Sequence, residues 1–233
     1  MVVSIVIPVF NEEKTISYVL DRVINADVYN LQKQIIVVDD GSTDKTPYII
    51  EQAKKKFDGI TVVNHERNLG KAAALKTGFS FVKGDIIIVQ DADLEYDPSD
   101  YKKLVTPIIE GKADIVFGTR FHCGRPEGMP FIRYLSNKFL TFMCGILHGV
   151  RVSDMETGYK VFSRKVLEKM DFVSDGFDFE PEFTILATKL KFIITEVGVS
   201  YKPRTVAHGK KIRFRDGISA LITIFKTTVR RNR

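Results

Sequence analysis

The chain has 233 residues, 44% hydrophobic and 27% charged, with a formal net charge of +6. That length and apolar content suit one large α/β domain with a sizeable core, and no run approaches the roughly 18 apolar residues of a membrane span. The two cysteines, Cys123 and Cys144, form no C-x-x-C pair, which argues against a zinc site and suits a reduced, cytosolic setting.

The opening M-V-V-S-I-V-I-P-V-F-N-E-E is apolar, lacks a basic n-region and runs into acids. It reads as a first strand over 3–9 rather than as a signal peptide. Asn11, Glu12 and Glu13 open a helix with Ile16, Val19, Leu20, Val23 and Ile24 at helical spacing. A second strand over 34–38 ends in D-D-G-S-T-D (39–44), a turn and helix start. The helix 46–57 leads to a third strand at 60–63. N-L-G-K (68–71) opens a helix running to 82, and a fourth strand follows at 85–90. A helix near 101–110 and a fifth strand at 114–118 complete the alternation. The pattern predicts an α/β fold, a mainly parallel sheet with helices on both faces. Ligands of such sheets sit beyond the carboxyl ends of the strands, where the acidic turns at 39 and 91 both fall.

The second half is less regular. Residues 126–130 read as a loop, 139–150 as a helical run, 154–164 as a turn plus strand, and 176–189 as a loop entering a helix. Near the end, Phe214, Ile218, Leu221, Ile222, Phe225 and Val229 share a helical face flanked by Arg213, Arg215, Lys226 and Arg230. Such a helix lies in a membrane interface or packs on its own domain. Ten basic residues against Asp216 give residues 202–233 a net charge of +9, leaving −3 for residues 1–201. A basic tail on a mildly acidic body points to an anionic partner: a membrane surface, nucleic acid or a phosphate ligand.

The densest chemistry is V-Q-D-A-D-L-E-Y-D-P (89–98), where Asp91, Asp93, Glu95 and Asp97 stand at alternate positions after the apolar run 86–89. Like charges this close repel, and desolvating each costs roughly several kcal/mol. An EF-hand loop starting at Asp91 would need Gly and Glu where Tyr96 and Lys102 stand. A phosphatase of the haloacid dehalogenase type carries its aspartates on an early strand, not the fourth. Asp97 and Asp100 read as acids gathered at a helix start, but Asp91 and Asp93 come too early for that role. Residues i and i+2 at a strand end project to one side. Asp91 and Asp93 can therefore face one Mg2+ or Mn2+ ion that bridges a nucleotide diphosphate, and Glu95 can join them if the extended form continues. No G-x-G-x-x-G follows the first strand, and Gly70-Lys71 lacks the rest of a P-loop.

With I-V-I-P-V-F-N-E-E (5–13), I-V-V-D-D-G-S-T-D (36–44), N-L-G-K-A-A-A-L (68–75) and D-A-D-L (91–94) in this order, the chain resembles the inverting nucleotide-sugar glycosyltransferases of family 2, of the GT-A fold. G-T-R-F (118–121), I-R-Y-L-S-N (132–137), E-T-G-Y-K-V-F (156–162), F-D-F-E-P-E (177–182) and Y-K-P-R-T-V-A-H-G-K-K-I (201–212) are similar to dolichol-phosphate mannosyltransferases and related polyprenyl-phosphate sugar transferases. The Q-x-x-R-W signature of processive synthases is absent. The resemblance implies a catalytic domain over 1–211 and a C-terminal basic helix over 212–233. It implies transfer of mannose or glucose from GDP-mannose or UDP-glucose to a polyprenyl or dolichyl phosphate.

It also implies roles for single residues. Pro8, Phe10 and Glu12 would line the nucleoside pocket, with Glu12 on the ribose. Asp39 would accept from the base while Asp40 secures the turn. Lys71, Asp91, Ala92, Arg204 and Lys210 would bind the nucleotide sugar, with Lys211 nearby. Asp91, Asp93 and Glu95 would hold Mg2+ or Mn2+. Arg120, Arg133 and Ser136 would hold the acceptor phosphate, since the planar guanidinium matches phosphate oxygens. Asp93, Arg120 and Arg133 are the residues expected to carry catalysis. Two departures stand out: Glu95 where many relatives have Gln, and His208 where relatives of the Y-x-P-R-T form often have Glu.

A phosphate nucleophile needs no general base. A hydroxyl acceptor on a glycan or lipid would need one, and Asp154, Glu180 and Glu182 are the candidates. A non-catalytic phosphate- or nucleic-acid-binding protein is the third reading. It lacks the interleaved aromatic and basic residues of RNA platforms, so no nucleic-acid partner is expected. The expected setting is peripheral, on the cytoplasmic face of a membrane, through 139–150 and 212–230 or through a membrane-embedded partner.

Overall fold

Runs of valine and isoleucine form the centre of a seven-stranded sheet of order β3-β2-β1-β4-β6-β5-β7. The computed structural model describes residues 1–172, 179–204, 221–222 and 224. The strands are β1 (Val2–Val9), β2 (Gln32–Asp39), β3 (Ile60–Asn64), β4 (Ile86–Val89), β5 (Ile115–Thr119), β6 (Lys160–Ser163) and β7 (Ile194–Gly198). Neighbours are parallel except at β6, which runs antiparallel to both β4 and β5. The helices are α1 (Ile16–Asn25), α2 (Thr46–Lys56), α3 (Lys71–Ser80), α4 (Tyr101–Ile109), α5 (Phe131–His148), α6 (Arg164–Lys169) and α7 (Phe179–Lys189).

The sheet is buried on both faces, and side chains alternate between them at the strand period of two. Ile5, Ile7, Ile35, Val37 and Ile88 pack with Ile16, Leu20 and Leu104 on one side. Val6, Ile36, Val38, Ile87 and Val89 pack with Leu75, Phe79, Phe179 and Phe183 on the other. A third, smaller cluster joins Leu140 and Cys144 of α5 to Met155, Ile185 and Ile224.

The first five strands fall where the sequence predicts them. Three features differ. The first helix begins at Ile16 rather than at 11–13, because Asn11 adopts a φ of 50°, outside helical geometry. The helix expected over 139–150 starts at Phe131, directly after Pro130, and ends where Gly149 turns left-handed at φ 72°. Its polar residues Arg133, Ser136, Asn137 and Lys138 interrupt the apolar run without interrupting the helix. The strand β7 and the short helix α6 lie outside the sequence pattern; β7, I-T-E-V-G, is only half-buried and carries a weak apolar signal.

His208, Lys210, Lys211, the 211/212 boundary and most of the basic helix lie outside the described residues. Of that segment, Ile224 is buried against α5, Leu221 packs beside it, and Ile222 is exposed. No helix of the described residues is long and apolar enough to cross a membrane.

Candidate active site

The carboxyl ends of β1, β2 and β4 meet at one edge of the sheet. Because β6 runs the other way, the segment entering it, 154–159, reaches the same edge. Asp39 ends β2, is buried, and accepts from the Ser42 amide. Asp40 accepts from the amides of Leu69 and Gly70 at 2.9 and 2.8 Å and faces His65 Nδ1 at 2.7 Å. It thereby fixes the turn before α3, where Gly70 takes a φ of 98°. That turn delivers Lys71 as the first residue of α3.

Lys71 Nζ lies 2.7 Å from Asp91 and 2.8 Å from Glu180 at the start of α7. Burial alone would lower the Lys71 pKa; the charges of Asp91 and Glu180 outweigh it and raise the pKa above its ordinary value. Two residues on, Asp93 Oδ2 accepts from Arg204 Nη2 at 2.8 Å, and Oδ1 accepts from the Glu95 amide. Arg204 Nη1 meets both oxygens of Glu12 at 3.3 and 3.2 Å. Burial and then the charge of Asp91 push the Asp93 carboxyl up to about 7, with Arg204 opposing them and Glu95 adding to them.

The structure thus brings together Glu12, Lys71, Asp91, Asp93 and Arg204. Pro8 and Phe10 are half-buried at the end of β1, and Ala92 is buried between the two aspartates. Glu95, the third expected ligand, faces the segment that leads to Arg204. Its oxygens accept from the Tyr201 hydroxyl at 2.8 Å and the Arg204 amide at 2.7 Å, with Arg133 Nη2 at 3.4 Å. Among the described residues no three His, Cys, Asp or Glu side chains converge as a metal cage. The two aspartates suit a hard divalent cation that takes one or two carboxylates and completes its shell with phosphates and water.

Gly158 approaches Asp91 so closely that a Cβ there would lie 2.2 Å from Oδ2. Gly158→Ala must therefore displace the aspartate. A shift near 1 Å costs about 100-fold in rate, so the variant is expected to lose about that much kcat while melting cooperatively, as steady-state assays and thermal melts would check.

The residues expected on the acceptor side have different surroundings. Arg120 is buried, and the Nε and Nη2 edge of its fork is filled by Asp154 at 2.7 and 2.6 Å. The pair occupies one edge of the Arg120 fork and both carboxylate oxygens of Asp154. Ser136 is exposed, and its hydroxyl bonds back to the Ile132 carbonyl one turn earlier. Arg133 faces Glu95, and its Nη1 is buried with no hydrogen-bond partner. Of the other base candidates, Glu180 is held by Lys71 and Glu182 is buried in α7.

Two charged residues escaped the sequence reading. Lys160 is fully buried at the start of β6 and donates to the carbonyls of Met155 and Thr157 at 3.1 and 2.6 Å. Burial pushes its pKa down to about 8 against the attraction of Glu180. A lysine opening the apolar strand K-V-F-S was the available signal. Glu156 keeps Oε1 buried and unpartnered. Burial, with the Glu180 charge adding, pushes its carboxyl up to about 7 from an ordinary 4.5. Between those values the folded protein binds more protons than the unfolded chain, so stability falls as pH rises through that window. Glu156→Gln is expected to remove the fall and to be more stable than the parent above pH 7 by roughly 1–3 kcal/mol. Denaturant titrations at pH 5 and pH 8 check it.

Residues 4–171 match the family described as Glycosyl transferase family 2. The chain is 35% identical to an uncharacterised protein of Methanocaldococcus jannaschii, over 91% of this chain and 90% of that protein. It is 29% identical to a dodecaprenyl-phosphate galacturonate synthase of Rhizobium johnstonii, over 76% of this chain and 52% of that one. It is also 29% identical to a dolichyl-phosphate beta-glucosyltransferase of Trichomonas vaginalis, over 85% and 65%. The chain spans about half to two thirds of the length of these last two relatives. Among solved structures, glucosyl-3-phosphoglycerate synthase from Mycobacterium tuberculosis, in complex with Mn2+, UDP and glucosyl-3-phosphoglycerate, aligns with a TM-score of 0.71 at 22% identity. That alignment covers 97% of this chain and 79% of the synthase, and the likeness is one of fold.

Proposed function

From the premise that the chain belongs to glycosyl transferase family 2, we propose that it moves a hexose, with inversion, from a nucleoside diphosphate sugar to a polyprenyl or dolichyl phosphate. GDP-mannose and UDP-glucose are the donors to test first. The names of two relatives, one acting with dodecaprenyl phosphate and one with dolichyl phosphate, support the acceptor class.

The observation that carries this reading is the position of Arg133. It stands in the first turn of α5, beside Glu95, with Nη1 buried and unpartnered. The opposite face of the same helix exposes Phe131, Ile132, Leu135, Phe139, Phe142 and Ile146. An anion-binding group and an apolar stripe on one helix suit a ligand with a phosphate head and a hydrocarbon tail. The stripe also suits peripheral seating on the cytoplasmic face of a membrane.

Glu12 and Asp39 would orient the ribose and the base, beside Pro8, Phe10 and Ala92. Asp91 and Asp93 would hold Mg2+ or Mn2+, which when bound neutralises charge on the departing diphosphate. Lys71 and Arg204 add positive charge at the same place. Arg133 would aim a phosphate oxygen at the anomeric carbon, opposite the leaving group. Positioning and electrostatics then supply most of the acceleration.

Incubation with labelled GDP-mannose or UDP-glucose, Mn2+ and polyprenyl phosphate should yield labelled lipid. Label on free glycans with none on lipid phosphate overturns the acceptor. One observation favours a hydroxyl acceptor instead: Glu156, with its raised pKa and unpartnered oxygen, is suited to act as a base. Product on a soluble hydroxyl compound, lost in Glu156→Gln, would establish that reading.

A further inference from the structure

Arg204 ties together two carboxylates with different duties. Its Nη1 lies on Glu12, the residue placed at the ribose, and its Nη2 lies 2.8 Å from Asp93, a residue placed at the metal. The backbone beneath it is pinned. The Arg204 amide donates to Glu95 Oε1 at 2.7 Å, the Lys202 amide to the Glu95 carbonyl at 2.8 Å, and the Ser200 amide to Asp100 at 2.6 Å. A bridge between Tyr201 and Tyr96 completes the anchoring. The guanidinium therefore works from a fixed base.

Nε and Nη2 of an arginine form one edge of the fork. In Arg120 both are filled by Asp154. In Arg204 only Nη2 is used, and Nε is buried without a partner. Half an edge is idle, and it is the edge a phosphate grips with two parallel bonds.

We infer that Arg204 occupies the cation position at Asp93 in the ligand-free enzyme, so that the divalent cation and the nucleoside diphosphate must enter together. This rests on the donor-site reading above. A divalent cation takes a carboxylate oxygen at about 2.0–2.1 Å, and the guanidinium already on Asp93 repels it. Entering alone, the cation has to push Nη2 off Asp93, leaving it only the longer 3.3 Å bond to Glu12 Oε1 and leaving Nε still without an acceptor. Entering with a diphosphate, it releases Nη2 and Nε to the phosphate oxygens while Nη1 stays on Glu12. Lys71 sits on Asp91 in the same manner, but it retains Glu180 when Asp91 turns to the cation. Arg204 is thus the residue that couples the two ligands.

The test measures Mn2+ binding by electron paramagnetic resonance, with and without GDP or UDP, in the parent and in Arg204→Gln. The parent should bind Mn2+ alone weakly and at least about tenfold more tightly with nucleotide, within the usual range of coupling between sites. Arg204→Gln should bind Mn2+ alone about tenfold more tightly than the parent and gain at most about threefold from nucleotide. Equal or weaker binding of Mn2+ alone, in a variant that still melts cooperatively, overturns the inference. Should Arg204→Gln fail to fold, Arg204→Lys keeps the charge without the fork and should lose part of the coupling; unchanged coupling there overturns the inference. A parent that binds neither GDP nor UDP in the presence of Mn2+ overturns the donor-site reading itself. Binding of both ligands without coupling overturns only the exchange.

Discussion

Asp93→Ala is expected to lower kcat/KM for hexose transfer by about 1,000-fold or more, the scale on which electrostatic stabilisation of a leaving group acts. The loss should appear in kcat as well as KM, because charge on the diphosphate grows as the bond to the sugar breaks. Asp93 suits this role by its environment. It is held near neutrality by burial and by Asp91, with one oxygen on Arg204. Asp93→Ala should also abolish the metal-dependent part of nucleotide binding, read as loss of the Mn2+-induced rise in melting temperature with GDP or UDP. The fold should survive, since removing the carboxylate relieves a like-charge contact with Asp91. A variant keeping a tenth of parental kcat/KM would remove Asp93 from the chemistry.

Asp154→Ala is expected to fail differently. Asp154 is fully buried and fills the fork of Arg120, whose side chain is only 4% exposed. Removing one partner of such a pair costs about 3–5 kcal/mol, because the other charge stays behind in the interior. For a chain of this size that lowers the melting temperature by on the order of 10 °C. Replacing both residues by apolar ones of similar volume, as in Arg120→Met with Asp154→Leu, should recover most of the loss. Calorimetry of the two single variants and the double variant closes the cycle. If Arg120 instead served the acceptor, Asp154→Ala would retain stability while weakening binding of the lipid phosphate.

The first half of the chain is legible because its signals are local. Strands such as 35–38 and 86–89 are unbroken Ile and Val, and each ends in the acids that the sheet edge then presents. The aspartates at 91 and 93 need only the strand period to share a side. The side-chain pairings resist because the partners are distant in the chain. Arg120 carries the residue type that grips a phosphate, yet the carboxylate that takes it lies 34 positions later. Lys71 pairs with Glu180 across 109 positions, and Arg204 with Asp93 across 111. Residue type indicates what a side chain can bind; only the tertiary fold decides which opposite charge is nearest. Glu95 illustrates this, for spacing alone aligns it with Asp91 and Asp93, whereas Tyr201 and Arg204 turn it toward the chain's later segment.

The reversed direction of β6 divides the labour of the fold. Had β6 run parallel, the loop entering it would open on the far edge of the sheet, away from the nucleotide. Running backwards, it delivers residues 154–159 to the carboxyl ends of β1 and β4, with Gly158 against Asp91. The first half of the chain therefore supplies Lys71, Asp91 and Asp93, and a later loop packs against them. A change in this later segment is therefore felt at a carboxylate laid down by the first half of the chain, so the two must vary together.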